Sequence, residues 1–205
     1  MDILSWFQNN IIEIFGSVTG IIYVFLEIRQ NKLLWPVGIV TSGVYIWVFL
    51  TSKFYADMSL QVYYLVISLL GWYWWSKPEK AGGNSKKEKS NELHVSRLRL
   101  KQAIYTVLVF VLLYGIMWVI LSNFTDSPVP EWDSFLTSLS IIATWMLARK
   151  IYEHWFIWIV VNSASAVIFF TRGLFPTVIL YFVYAVMSVV GLFEWKKSLK
   201  HTDPQ

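Results

Sequence analysis

The chain has 205 residues, of which 56% are hydrophobic and only 15% are charged. A soluble domain carries about 25% charged residues, so this composition excludes an ordinary soluble enzyme and favours a membrane protein. The chain carries a net charge of +4 at pH 7 and has no cysteine, which excludes disulfides and thiolate chemistry.

Seven apolar blocks follow one another along the chain, each long enough to cross a hydrocarbon core of about 30 Å as a helix. They cover residues 11–28, 35–51, 57–75, 102–121, 132–148, 155–171 and 175–193. We therefore predict an all-α integral membrane protein with seven transmembrane helices. The polar, lysine-rich stretch 76–101 predicts a cytoplasmic linker. A nucleic-acid-binding patch is the alternative for these lysines, but the interspersed glutamates dilute the charge and favour the linker.

Residues 29–75 recur as residues 149–195 after a constant shift of 120 positions, with 12 of 47 residues identical. A repeat of fixed period determines architecture, and a repeated membrane-spanning unit indicates a duplicated transporter. We expect two three-helix bundles, and a central helix without a partner would let both insert in the same orientation. This parallel 3+1+3 arrangement places a substrate between the bundles near mid-membrane. The predicted divisions are a first bundle (11–75), a cytoplasmic linker (76–101), a central linker helix (102–121), a second bundle (132–195) and a cytoplasmic tail (196–205).

The basic residues predict how the chain is oriented in the membrane. With seven spans, 15 of the 17 lysines and arginines fall on one side, and only Lys53 and Arg172 fall on the other. Because cytoplasmic loops carry the excess of lysine and arginine, we expect the N-terminus outside and the C-terminus in the cytoplasm.

Hydrogen-bonding side chains recur on one face of the third span and at the matching positions of the seventh. The two stripes are Asp57, Gln61, Tyr64 and Ser68, and Thr177, Tyr181, Tyr184 and Ser188. Polar groups are costly on lipid-exposed faces, so the stripes indicate the walls of a shared cavity. The alternative is that they bond to neighbouring helices, as such residues do within membranes.

The sixth span carries a second polar face at helical spacing, and the second span carries its counterpart. The two sets are Trp155, Trp158, Asn162 and Ser165, and Trp35, Gly38, Ser42 and Tyr45. The Asn162 amide presents donors and acceptors together, which suits a hydroxylated or amide-bearing ligand. Trp158, one turn away, could stack on an aromatic ring.

Most tryptophans near span ends are interpreted as interfacial anchors. This group contains Trp6, Trp35, Trp72, Trp74, Trp75, Trp132, Trp155 and Trp195, whereas Trp47, Trp118, Trp145 and Trp158 are expected to be functional or in the core. Glu27 and Glu194 are assigned to the cytoplasmic interface. No deeply placed acidic residue indicates a proton relay or sodium site, and the three histidines lack metal-binding spacing. We expect neither catalysis, nor a metal, nor a cofactor.

Several motifs together resemble a known family. The third span opens with Phe54-Tyr55-Ala56-Asp57 and closes with Gly71-Trp72-Tyr73-Trp74-Trp75. Downstream come Arg149-Lys150, Glu153, Trp155, Trp158 and Asn162. Across nearly all of the chain outside the linker, these residues resemble the PnuC family of bacterial vitamin-precursor transporters, best known for nicotinamide riboside.

The resemblance implies a SWEET-related fold and a homotrimer in the bacterial inner membrane, which imports its substrate by facilitated diffusion and traps it by phosphorylation. It places Trp158 and Asn162 where the family contacts its ligand, with Gln61 on the facing third helix. One departure lies in the second helix, where Ser42 and its neighbours replace an asparagine of the nicotinamide riboside members. The entry Trp35-Pro36-Val37-Gly38 is more similar to relatives thought to carry thiamine, which remains the alternative substrate.

The expected substrate-binding residues combine the stripes with the resemblance. They are Asn162, Trp158, Gln61, Tyr64, Tyr181, Tyr184, Asp57, Ser42 and Tyr45. The partners expected are the small-molecule substrate, the lipid bilayer and further copies of the chain, and not a nucleic acid. Two other classes of protein are alternatives. A rhodopsin-like protein would need a lysine in the seventh helix, and residues 175–193 contain none. The other alternative is a membrane-embedded enzyme or structural subunit.

Overall fold

A computed structural model describes residues 11–51, 53, 55–77, 93–125 and 127–202. Outside these ranges lie Phe54 of the third-span motif, Trp6, the greater part of the predicted linker and the last residues of the tail. The described chain forms seven helices and contains no strand, which confirms the predicted all-α class. The helices are α1 (Ile11–Ile28), α2 (Leu34–Thr51), α3 (Tyr55–Ser76), α4 (Leu100–Phe124), α5 (Pro130–Ala148), α6 (His154–Thr171) and α7 (Phe175–Thr202).

Five of these helices, α1, α2, α4, α6 and α7, are long and apolar enough to cross a membrane. The helices α3 and α5 are less apolar because hydroxyl, amide and acidic side chains interrupt them. The chain divides into two compact units, residues 1–76 and 77–205. In the first unit, α2 packs on α1 and, more extensively, on α3. In the second unit, α4 packs on α5, α5 on α6, and α6 on α7.

The internal repeat determines where helices begin and end. The bounds of α6 are those of α2 shifted by 120 residues, and α7 begins 120 residues after α3. Left-handed backbone recurs with the same period, at Gln30 (φ 52°) and Lys150 (φ 51°). Such values are uncommon outside glycine, so their recurrence at matching positions shows that the two repeats share backbone geometry as well as residues.

The turns after α1 and α5 close in the same way. The Asn31 N–H donates to the Leu26 carbonyl and the Ile151 N–H donates to the Met146 carbonyl, both at 2.9 Å. These bonds, which span five residues across a left-handed position, are the Schellman ending of a helix. They satisfy carbonyls that the helix end would leave unpaired, and they reverse the chain into the next helix.

In the second unit, residues 93–99 are anchored on the loop between α5 and α6. The Ser96 N–H donates to the Lys150 carbonyl at 3.0 Å, and the Tyr152 N–H donates to the Ser96 carbonyl at 2.9 Å. The Glu153 carboxylate accepts the Leu98 N–H at 2.8 Å. Burial raises the pKa of the Tyr152 phenol above its ordinary value. The end of the predicted linker is therefore bound to the entry of α6.

Candidate functional site

Each unit contains the same packing device, in which a tryptophan of one helix lies over a glycine of the next. A Cβ on Gly71 would come within 2.4 Å of the Trp35 ring, and a Cβ on Gly191 would come equally close to Trp155. Trp75 meets Trp35 edge-on, with ring centroids 5.4 Å apart. These contacts seal α2 against α3 and α6 against α7, and so define the register of the polar faces beside them.

The second unit repeats this arrangement and adds a histidine. Trp195 meets Trp155 edge-on, with ring centroids 5.7 Å apart. The His154 ring contacts both indoles, and its Nδ1 lies 2.7 Å from the Ile151 carbonyl oxygen. His154 is thus a buried packing residue at the start of α6.

These contacts correct two predictions about tryptophan. Four residues assigned to the membrane interface, Trp35, Trp75, Trp155 and Trp195, are buried between helices. They pack on glycine and on one another, which the position of a residue near a span end does not reveal. Conversely, three residues expected in the core or a functional site, Trp47, Trp118 and Trp145, are exposed, Trp47 by 68%. Only Trp158 of that group is partly enclosed.

The candidate site of the second unit is built on a buried amide. Asn162 Nδ2 donates to Ser188 Oγ at 3.1 Å, and the Ser188 hydroxyl donates to the Tyr184 carbonyl at 2.7 Å. Because the serine proton is used in the second bond, Ser188 can only accept from Asn162, which orients the amide. Asn162 is 7% exposed and makes no other hydrogen bond within the described chain. Its carbonyl oxygen and its second N–H remain for a ligand.

Trp158 lies one turn before Asn162 on the same face of α6. Its indole N–H is buried and has no hydrogen-bond partner among the described residues. A buried donor without a partner costs free energy, and a ligand acceptor would remove that cost. Trp158 and Asn162 therefore present a ring face, an N–H and an amide within one helical turn.

The first unit presents smaller groups at the matching places. Ser42 corresponds to Asn162, and Ser68 corresponds to Ser188; both are buried. Gly38 corresponds to Trp158, and a Cβ there would lie 2.8 Å from Ser68 Oγ. The first unit therefore carries a hydroxyl pair where the second carries an amide and an indole.

The remaining predicted residues differ in their surroundings. Gln61 and Tyr64 are half-buried on α3, one turn apart, whereas Asp57 is exposed at the start of that helix. The Tyr45 hydroxyl donates to the Ile12 carbonyl at 3.3 Å, which packs α2 against α1. Gln61 and Tyr64 thus share one face of α3 by their spacing, and Tyr45 has a role in packing.

On α7, two predicted tyrosines form part of a ring cluster. The Tyr181 ring lies against Phe169, with centroids 5.2 Å apart, and meets Tyr184 edge-on at 5.9 Å. The backbone carbonyl of Tyr184 accepts the Ser188 hydroxyl, so the ring cluster lies one helical turn before the serine that bonds to Asn162.

Sequence reasoning missed one buried acid. Glu27, assigned to the cytoplasmic interface, is only 2% exposed, so it is packed by protein rather than solvated, and its position at the interface stays a prediction. Its neighbour Arg29 is exposed, which made the pair look like an interfacial one. Glu194 does lie at the surface, where it pairs with Lys197 at 2.6 Å. The described residues contain no group of three histidine, cysteine or acidic side chains that could hold a metal.

Comparison with known proteins identifies the family. The family model described as nicotinamide mononucleotide transporter matches residues 10–197, which is almost the whole chain. The chain belongs to the nicotinamide mononucleotide transporter family. It is a membrane transporter and not an enzyme, which confirms the two predictions made from its spans and its lack of catalytic motifs.

Individual relatives in this transporter family match over most of their length. The nicotinamide riboside transporter PnuC of Escherichia coli is 24% identical, over 96% of this chain and 87% of the relative. PnuC of Neisseria mucosa is 27% identical, over 93% of this chain and 73% of the relative. The riboflavin/roseoflavin transporter RibM of Streptomyces davaonensis is 23% identical, over 92% and 87%. The names of these relatives thus specify different vitamins.

A solved structure of the same family shares the fold. The crystal structure of the vitamin B3 transporter PnuC superposes with a TM-score of 0.72 at 24% identity, covering 98% of this chain and 87% of the other. This similarity confirms the predicted resemblance to PnuC and the seven-helix fold.

Proposed function

We propose that this transporter imports a cationic aromatic vitamin precursor, first of all nicotinamide riboside, by facilitated diffusion. The observation that carries the proposal is the Asn162–Ser188 bond, which orients a buried amide and leaves its carbonyl oxygen and second N–H unused. Trp158 adds a buried N–H and a ring face one turn away. An amide-bearing pyridinium and its ribose hydroxyls offer complementary groups to all of these.

The names of the relatives support a vitamin precursor as the substrate. Two of the relatives are nicotinamide riboside transporters, and the family model carries the name of the corresponding nucleotide. The riboside fits better, because a phosphorylated substrate calls for cationic partners, and Asn162, Trp158, Gln61 and Ser42 are uncharged. Phosphorylation after entry would then trap the substrate inside, since the phosphate group of the product would find no cationic partner among these uncharged residues.

Thiamine is the second candidate, and the first unit favours it. At the place of Asn162 the first unit has Ser42, and at the place of Trp158 it has Gly38. The first unit therefore offers a single hydroxyl at this face. It lacks an amide, whose donors and acceptors would suit the ribose of nicotinamide riboside. Titration calorimetry of the purified protein with nicotinamide riboside, thiamine and riboflavin decides between the substrates. Binding of riboflavin alone would contradict a cationic substrate.

The proposed membrane arrangement follows the charge distribution. We place the protein in a bacterial inner membrane with its N-terminus outside and its C-terminus in the cytoplasm, because 15 of 17 basic residues then face the cytoplasm. The chain has no cysteine, so single cysteines at Ser127 and Ser198 can be labelled with a membrane-impermeant maleimide in intact cells. Labelling at Ser127 alone is expected.

We also place the transporter in a homotrimer, as the resemblance to PnuC implies. No residue of α4 is buried within the described structure, so this helix has an apolar surface available to lipid or to further copies. Mass measurement of the detergent-solubilised protein by light scattering tests this, and a monomeric mass would contradict it.

A further inference from the structure

Three basic residues lie at the entrance of α4, in the second unit. Arg97 and Arg99 precede the helix, Lys101 is its second residue, and all three side chains are exposed. From Leu93 to Thr125 the chain contains no aspartate or glutamate. Within the part of the chain that the structure describes, none of the three cations pairs with a carboxylate. We call these three residues the α4 basic patch.

The fold fixes the backbone that carries this patch. Ser96 makes two backbone hydrogen bonds to the loop between α5 and α6, at 3.0 and 2.9 Å. The Leu98 N–H donates to the Glu153 carboxylate at 2.8 Å, and the Leu98 side chain packs on the buried core around Met146. The approach to α4 is therefore held in one conformation, and the carboxylate of Glu153 is used by a backbone donor.

The two arginines of the patch lie on the same side of this extended segment. Arg99 has extended dihedral angles, with φ −77° and ψ 150°. Side chains alternate along extended backbone, so Arg97 and Arg99 both face away from the core that holds Leu98. Two residues of extended chain rise about 6.6 Å, which lets both guanidinium groups reach one phosphate. The planar donors of arginine match the oxygens of a phosphate group.

An exposed apolar face of α4 begins beside the patch. Leu100, Ile104 and Leu108 follow one another at intervals of four residues on one face of the helix. Their side chains are 79%, 54% and 60% exposed. The helix is apolar enough to cross a membrane and begins at Leu100, so the patch lies at the level of the lipid headgroups. Positive charge and apolar surface thus follow in the order in which a phospholipid presents its headgroup and its acyl chains.

We propose that the α4 basic patch binds the headgroup of an anionic phospholipid, whose acyl chains lie along the exposed face of α4. Basic clusters next to a transmembrane helix attract anionic lipids in this way. A zwitterionic headgroup carries its own positive charge beside the phosphate, so it gains less from the patch. The inference concerns the second unit alone and does not depend on which vitamin the protein carries.

The end of α7 offers a comparison with the patch. Lys196 and Lys197 are exposed there, but Lys197 pairs with the Glu194 carboxylate at 2.6 Å. The carboxylate reduces the local positive charge, and lysine lacks the planar donors of arginine. These two lysines therefore carry the same formal charge as Arg97 and Arg99 without the features that favour a phosphate.

The test measures the binding of single lipid molecules to the whole protein in detergent by native mass spectrometry. Phosphatidylglycerol is the anionic probe, and phosphatidylcholine with the same acyl chains is the zwitterionic probe. We expect the wild type to bind phosphatidylglycerol more tightly than phosphatidylcholine. The double variant Arg97→Gln and Arg99→Gln should bind phosphatidylglycerol at least about tenfold more weakly, since each basic residue near the membrane surface contributes about fivefold. Its binding of phosphatidylcholine should be unchanged, which also shows that the variant is folded.

The double variant Lys196→Gln and Lys197→Gln is the matched control, because it removes the same charge from the end of α7; it should bind both lipids as the wild type does. An equal loss of phosphatidylglycerol in the two double variants would show a general effect of net charge and overturn the inference. Equal affinity of the wild type for the two lipids, or undiminished binding of phosphatidylglycerol in the arginine variant, would overturn it too. Displacement of phosphatidylglycerol by an equal concentration of inorganic phosphate would show a site for free phosphate instead of a lipid.

Discussion

Trp155 lies over Gly191 so closely that a single added methyl group would come within 2.4 Å of the indole, and Trp35 lies over Gly71 in the same way. These are the tightest contacts between helices that the two units share. The Trp155–Gly191 contact holds α6 against α7 beside the Asn162–Ser188 bond. The packing of the tryptophan thus supports the geometry on which the proposed substrate binding depends.

The first prediction concerns these glycines. Gly191→Ala and Gly71→Ala should each destabilise the protein by about 1–3 kcal/mol, because the indole must move to make room for the methyl group. Thermal unfolding of the purified protein measures the loss. Gly43→Ala and Gly115→Ala are matched controls, since no atom lies within 4 Å of a Cβ at either position. A loss of equal size in the controls would show a general effect of helix glycines.

The second prediction concerns the buried amide. Asn162→Leu should weaken substrate binding by about 1–3 kcal/mol, the usual effect of leaving a buried hydrogen-bonding group without its partner. Calorimetry with nicotinamide riboside measures the change. Ser163→Leu is the control, because Ser163 is the next residue of α6 and is exposed on another face. Undiminished binding in Asn162→Leu would remove this residue from the site.

The third prediction separates the ring of Trp158 from its N–H. Trp158→Phe retains an aromatic face and removes the unpartnered donor. If the donor bonds to the substrate, this variant should lose about 0.5–1.5 kcal/mol of binding free energy. If only stacking matters, Trp158→Phe should bind as the wild type does and Trp158→Leu should not. The same calorimetric titration distinguishes the two outcomes.

The fourth prediction concerns Gly38, where an added Cβ would lie 3.1 Å from the Tyr23 ring. The second unit has Ala143 and Trp158 at the positions that correspond to Tyr23 and Gly38. Gly38→Trp alone should destabilise the protein through contact with Tyr23 and Ser68. Combined with Tyr23→Ala it reproduces the Ala143 and Trp158 of the second unit, so the double variant should be more stable than the sum of the single effects. We expect a coupling free energy of about 0.5–3 kcal/mol in thermal or denaturant unfolding. The effects of Gly43→Trp and Tyr23→Ala on stability should be additive, because nothing lies within 4 Å of a Cβ on Gly43. Additive effects of Gly38→Trp and Tyr23→Ala would contradict direct contact between positions 23 and 38.

The fifth prediction concerns the attachment of residues 93–99. Glu153→Ala removes the acceptor of the Leu98 N–H. Amide hydrogen exchange at residues 96–99 should then become faster by at least about tenfold, the effect of losing a charge-assisted bond of about 1.5–3 kcal/mol. Glu131→Ala, at an exposed position of α5, should leave that segment unchanged. Equal rates of amide hydrogen exchange in the two variants would show that the backbone hydrogen bonds of Ser96 alone hold residues 96–99 in place.

The sequence predicted the helices well because their signal is local. Hydrophobic length determines a span in a bilayer, and the repeat then predicted that α2 and α6 would share their bounds. The burial of Trp35 and Trp155 could not be predicted from position, because a tryptophan at a span end meets either the interface or a neighbouring helix. A glycine at the same offset in both repeats was the available signal.

The surroundings of the candidate site residues were predicted in part, and their role in binding stays a prediction. The Asn162 face of α6 was identified because amides are rare within spans, whereas the bond to Ser188 depends on how α6 packs on α7. Tyr45 matched the helical spacing and nonetheless bonds to the Ile12 carbonyl. The burial of Glu27 was not predicted, because an acid near a span end is usually solvated. Its burial results from tertiary packing, which periodicity does not contain.

The most direct test of gradient-free vitamin transport is uptake of labelled nicotinamide riboside, with thiamine in parallel, into proteoliposomes containing the purified protein. No ATP is supplied, and no ion gradient is imposed. We predict saturable uptake of one of these cations, which stops when internal and external concentrations become equal and is diminished in Asn162→Leu. Accumulation only with a proton or sodium gradient, or no uptake of either compound, would contradict this account.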